Sequence, residues 1–141
     1  GLVLVAPAMG FSDRLWGLLD TAQQRTMLGG GAARVDAEMI DCDTAARTPA
    51  EIKISFFREA RKLAPPVVKG TIPVTCAVRI LHGSRDKVVP LESSLQLLRK
   101  LESADVTLTV LKGAEHRLSR PEELDQLSAA LLQLWEQVGE Q

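Results

Sequence analysis

Cysteine and histidine are scarce here, two of each in 141 residues, and neither sign of charge is in surplus. Each scarcity excludes something. Cys42 and Cys76 lie far apart, and neither has a second Cys or His at the short spacing of a zinc site, so neither a metal nor a cofactor is expected. Both read as buried or inert thiols, since free cysteine is a common small core residue; a structural disulfide is the other reading. Seventeen basic side chains against eighteen acidic ones provide no field for a polyanion, so nucleic acid is not an expected partner. No uninterrupted apolar run approaches the roughly 20 residues needed to cross a bilayer. The apolar fraction of 45% suits one globular domain of modest core, expected to be soluble. No internal repeat or low-complexity tract is present.

What the chain does contain is apolar runs followed by helical patterns. Three runs read as strands: Leu2 to Ala6, Ala77 to His82 and Val106 to Leu111. After the second, Pro90 opens a segment whose Leu91, Leu95, Leu98 and Leu101 form one stripe. After the third, Arg120-Pro121-Glu122-Glu123 supplies a proline and two acids at a helix start, and Leu124, Leu127, Leu131, Leu134, Trp135 and Val138 follow at helical spacing. Helices between strands of this kind are crossovers, so the strands should be parallel. The opening run, Gly1-Leu2-Val3-Leu4-Val5-Ala6-Pro7-Ala8, has no initiator Met, charged leader or cleavage-site pattern, and reads as a strand buried on both faces. Further strands are therefore expected upstream of it.

Between the first and second strands lies a long insertion, about residues 9–75, which reads as a helical cap. Ser12-Asp13 is placed to cap a short helix carrying Leu15, Trp16, Leu18 and Leu19. A longer helix is expected from about Pro49 to Leu63, with Ile52, Phe56, Phe57, Ala60 and Leu63 on one side. Gly29-Gly30-Gly31 breaks the chain between them, and Val35, Ala37 and Met39 alternate weakly as a brief extended piece. Phe11, Trp16, Phe56 and Phe57 either line an acyl pocket or, the favoured reading, pack as core. Arg14, Lys53 and Arg58 read as exposed charges, with a polar leaving group as the alternative partner.

Two polar residues stand just beyond predicted strand ends, thirty positions apart: Asp86 and His116. In open parallel sheets reacting groups collect at that edge. A carboxylate there can accept the Nδ1 proton of an imidazole and stabilise the imidazolium formed when the base takes a proton from a hydroxyl. The plain alternative for Asp86 is a turn residue that bonds its own loop amides; for His116 it is a surface or packed histidine. Of the two histidines, His82 ends its strand and is expected to shape the loop before Gly83, which leaves His116 as the base.

The string His82-Gly83-Ser84-Arg85-Asp86-Lys87-Val88-Val89-Pro90 is similar to the His-Gly-x-x-Asp-x-x-Val-Pro pattern of α/β-hydrolases, and Glu115-His116-Arg117 resembles their histidine loop. The acid-before-histidine order fits as well. Within that superfamily, Ala6 to Trp16, Ile72 to Arg79, and Ala114-Glu115-His116-Arg117-Leu118-Ser119 resemble the small carboxylesterases related to mitochondrial palmitoyl-protein thioesterase. Glu115 stands where their loop has Asp. The resemblance covers nearly the whole chain, strongly from Ile72 onward and loosely through Thr26 to Leu63.

The resemblance implies a partial α/β-hydrolase fold, with three parallel strands, flanking helices and the cap insertion, and 1–141 as the carboxyl-terminal part of one domain. It implies acyl-enzyme hydrolysis of an ester or thioester, small-molecule or acylated-protein, with Asp86 and His116 as catalytic acid and base. No Gly-x-Ser-x-Gly turn occurs between Gly1 and Gln141, and Ser12, Ser84, Ser93 and Ser94 do not match the nucleophile's strand-turn-helix setting. The nucleophile is thus expected from an absent amino-terminal part, and the chain alone is expected to be inactive. The sequence gives no compartment, with cytoplasm and mitochondrial matrix both open. A different class of function stands beside this one: a non-catalytic binding or interaction module on the same scaffold.

Overall fold

The computed structural model of the chain describes residues 1–36, 49–63 and 70–139. Its elements run β1 (Leu2–Val5), α1 (Phe11–Leu18), α2 (Thr21–Leu28), β2 (Ala32–Val35), β3 (Ala50–Lys53), α3 (Ile54–Leu63), β4 (Val78–Gly83), α4 (Leu91–Lys100), β5 (Val106–Leu111) and α5 (Pro121–Gly139). They fall into two compact units, Gly1–Met9 with Lys69–Gln141, and Gly10–Val68.

The first unit is a parallel sheet in the order β1-β4-β5, with Leu4, Ile80 and Leu108 in register across it. β4 is central and buried at every residue, which is why apolar Ile80 and Leu81 stand side by side in it and its Arg79 and His82 are buried as well. Strand pleating sends Val78 and Ile80 into one cluster with Leu97 and Leu98 of α4, and Leu81 into another with Leu127 and Ala130 of α5. Full burial of each of these β4 side chains contributes about 2 kcal/mol. Arg79 is also buried, and satisfied: its guanidinium donates to both oxygens of Asp105 at 2.7 and 3.1 Å and to Gln133 at 2.9 Å. The bonds from Arg79 hold the Asp105 carboxyl below its ordinary range.

Several details differ from expectation. β1 is an edge strand among the described residues: Leu4 packs in the cluster on the α4 side and Val3 in the cluster on the α5 side, while Leu2 and Val5 are exposed. In α4 the inward residues are Ser93, Ser94 and Leu97; Leu91 and Leu95 are only half-buried. Cys76 is exposed and free in the bend that precedes β4, not buried; Cys42 lies outside the described residues.

The second unit carries one more helix than its periodicity suggested, α2, and the antiparallel strand pair β2–β3. α1 starts one turn early, capped by Gly10 in the left-handed region (φ 65°) and by no side chain, so Ser12-Asp13 lies inside the helix. α2 is closed by a reciprocal capping box between Asp20 and Gln23. The helix expected from Pro49 begins only at Ile54, because residues 50–53 pair antiparallel with β2. Val35 belongs to that hairpin; Ala37 and Met39 lie outside the described residues. The core of this unit is Leu15, Leu19, Met27, Ala33, Val35 and Phe57, with Phe11 and Trp16 packed on it. Trp16 meets Phe57 edge-on at 5.0 Å, and Phe57 is a core residue with Trp16 packed against it; Phe56 is 41% exposed.

Candidate active site

β4 and β5 end side by side, Gly83 opposite Leu111, so the loops that leave them emerge together at the carboxyl edge of the sheet. Their approach is closer than any side chain permits: a Cβ on Gly83 would lie 2.5 Å from the Ala114 carbonyl oxygen and 2.6 Å from that of Glu115. The loops are then stitched. Ser84 N–H donates to Leu111 O at 3.0 Å, Arg85 N–H to Ala114 O at 2.9 Å, and Gly113 N–H to the Ser84 hydroxyl at 2.8 Å. Gly113 sits at φ 78°, the left-handed turn that starts the second loop.

This loop pair brings Asp86 and His116 into contact, with His116 Nδ1 2.9 Å from Asp86 Oδ2. The other carboxylate oxygen, Oδ1, accepts the backbone N–H groups of Val88 and Val89, each at 2.8 Å. Both readings of Asp86 are therefore realised in one side chain: one oxygen folds the loop, the other holds the imidazole. The Asp86 side chain is only 1% exposed while that of His116 is 26% exposed. A buried carboxylate is costly unless hydrogen-bonded, and three donors meet this one. Since the carboxylate only accepts, Nδ1 carries the proton, and in the neutral ring Nε2 then presents a lone pair.

His82 lies beneath the pair, at 0% exposure. Its Nε2 is 3.0 Å from Val89 O and its Nδ1 2.7 Å from the Ser94 hydroxyl. Sequence reasoning placed it correctly at the loop but missed Ser94, whose only signal is a hydroxyl at an inward helical position. Ser93 was missed likewise: its hydroxyl donates to Pro7 O at 2.8 Å and accepts Met9 N–H at 2.7 Å, tying the loop after β1 to α4.

The histidine loop is anchored at its far end by α5. Glu123, nearly buried, accepts the backbone N–H of Arg120 and bonds its guanidinium, which in turn donates to Gly113 O at 3.0 Å. Burial alone would raise the Glu123 pKa, but the bonds from Arg120 and its charge carry it below the ordinary range. The Arg120 guanidinium is correspondingly raised, chiefly by its bond to Glu123. Within the second unit, Trp16, Phe57, Leu28, Ile54 and the arginines Arg58 and Arg61 line a cavity of about 350 Å³. Among the described residues no helix is long and apolar enough to cross a membrane.

The Hydrolase_4 family model, described as serine aminopeptidase S33, matches residues 1–123. The mitochondrial palmitoyl-protein thioesterase of Mus musculus is 40% identical over 67 residues, 48% of this chain and 22% of that protein. The Homo sapiens protein of that name is 34% identical over 67 residues, 48% of this chain and 21% of its own length. Among solved structures, alpha/beta hydrolase domain-containing protein 10 from mouse superposes with a TM-score of 0.79 at 26% identity, covering 97% of this chain and 52% of its own. A putative hydrolase from Agrobacterium vitis S4 gives 0.79 at 28% identity, covering 94% and 48%. A monoglyceride lipase from Saccharomyces cerevisiae, at 16% identity and a TM-score of 0.64, shares the fold. The chain spans about half the length of these solved relatives, and the aligned segments about a fifth of the curated ones.

Proposed function

The chain belongs to the serine aminopeptidase S33 family and has an α/β-hydrolase fold related to palmitoyl-protein thioesterase, and from that premise we propose that the protein cleaves a carboxylic ester or thioester with Asp86 and His116 as acid and base. The observation that carries this reading is the 2.9 Å contact between a buried carboxylate and a part-exposed imidazole, made by loops from adjacent parallel strands. A hydroxyl nucleophile attacks the acyl carbon as its proton passes to His116 Nε2. Asp86 stabilises the imidazolium so formed and holds the ring in the Nδ1–H tautomer. Collapse of the tetrahedral intermediate expels the alcohol or thiol, which takes the proton from Nε2; water then repeats the sequence on the acyl-enzyme.

The nucleophile in this proposal comes from outside these 141 residues, which hold no Gly-x-Ser-x-Gly turn. Ser84, Ser93 and Ser94 are each engaged in hydrogen bonds that tie segments of the first unit together. The 141 residues by themselves are accordingly proposed to be inactive. The substrate class is an acylated small molecule or acylated protein, in line with relatives named as a palmitoyl-protein thioesterase. Their mitochondrial designation supports the matrix as the compartment.

The test is fluorophosphonate labelling of the full-length protein beside its hydrolysis of an acyl-thioester and a p-nitrophenyl ester. Covalent labelling of one serine, lost together with hydrolysis when that serine is replaced, is the expected result. A full-length protein that neither labels nor hydrolyses either substrate supports the non-catalytic module instead.

A further inference from the structure

We propose that His82 is a positioning residue for the Asp86–His116 pair, acting through its Nε2–H tautomer. The inference rests on the catalytic reading above. The Val89 carbonyl can only accept, so at 3.0 Å from Nε2 it fixes the proton on that nitrogen, and Nδ1 then accepts the Ser94 hydroxyl proton at 2.7 Å. The same edge of the ring faces Asp86, whose Oδ2 lies 3.5 Å from Nε2, in contact but not hydrogen-bonded, and it is the same oxygen that bonds His116. The oxygen therefore sits between two imidazoles, one buried and one facing outward. Val89 completes the frame, with its N–H on Asp86 Oδ1 and its C=O on His82. Its strand neighbours Ile80 and Leu81 are apolar and fully buried, and an apolar residue at position 82 would fill the space without bonding the Val89 carbonyl. The ring thus controls where the carboxylate of Asp86 points. A displacement of a catalytic group by about an ångström costs up to about a hundredfold in rate.

The experiment measures kcat, KM and melting temperature for acyl-thioester hydrolysis by the full-length protein and by its His82→Leu, His82→Gln, Ser94→Ala and His116→Ala variants. His82→Leu is expected to lower kcat by about ten- to a hundredfold with KM within about twofold. His82→Gln, whose amide N–H can replace Nε2–H on Val89, is expected to recover kcat to within about threefold of wild type. Wild-type kcat in His82→Leu, or a glutamine variant no more active than the leucine one, would overturn the proposal. If the leucine variant does not fold, Ser94→Ala decides: a fall in kcat of about threefold or more at unchanged KM and melting temperature supports it, and an unchanged kcat overturns it. His116→Ala separates the two claims. Hydrolysis that survives in this variant removes the catalytic reading and this proposal with it, whereas an inactive His116→Ala beside wild-type His82→Leu removes the positioning role alone.

Discussion

Asp86 carries two structural duties on two oxygens, and they respond differently to substitution. In Asp86→Asn the loop-folding oxygen can be kept, but the other position becomes an N–H₂ that donates to Nδ1 and drives the proton of His116 onto Nε2, where the base is needed. Loss of about 10³- to 10⁴-fold in kcat with a small change in stability is the expected outcome, read by single-turnover acylation beside thermal denaturation; a loss under tenfold would contradict it. Gly83 has the opposite profile. An alanine there must push back two backbone carbonyls, at 2.5 and 2.6 Å, that belong to the histidine loop. Gly83→Ala should destabilise by about 3 kcal/mol, the upper end of ordinary single substitutions, measured by urea unfolding, and lower activity with it. The meeting of Asp86 with His116 was legible in sequence because each lies a few positions past a strand-like run, and those two runs are adjacent parallel strands. His82 and Ser94 were not legible as a pair, because a buried hydrogen bond between a strand and a helix twelve positions on leaves no periodic signature.

Elements with one dominant signal were read correctly, and elements where two signals competed were not. β4, α4 and α5 follow from a short, mostly apolar run, an amphipathic stripe and a Pro-Glu-Glu start. Residues 50–53 were read as helix because Ile52 and Phe56 fall four apart, but pairing of Ala33 with Ile52 in the hairpin overrode that spacing. The α2 helix was missed although Asp20 and Gln23 form its cap; a weak apolar stripe hid it. At the element scale the anchor of the histidine loop gives a pH prediction. Glu123 has a folded-state pKa below the ordinary value of 4.5, so the stability it contributes is fully present above that value and is lost as pH falls through the lower folded value. Glu123→Gln should melt lower than wild type at pH 7, and the gap should narrow as the pH falls below 4.5. Melting curves from pH 3 to pH 7 provide the check, and a gap that widens on acidification would contradict it.

Among the described residues of the first unit, exposed apolar side chains are concentrated on α5, where Leu124, Leu131, Leu132 and Trp135 are 47, 53, 61 and 78% exposed, and on the edge strands at Leu2, Val5 and Val110. Such surface, with unpaired edge strands beside it, favours association. The 141 residues alone should self-associate in sedimentation velocity at micromolar concentration, and the paired change Leu132→Glu with Trp135→Glu should shift them toward monomer. A monomeric wild-type chain with one cooperative unfolding transition would contradict this. The central claim is chemical: the imidazole that the two loops present at the sheet edge is the base of the reaction. It is tested most directly by kcat/KM for acyl-thioester hydrolysis in the full-length protein with and without His116→Ala, at matched melting temperature. A fall of at least about 10³-fold is predicted; hydrolysis at the wild-type rate would contradict it.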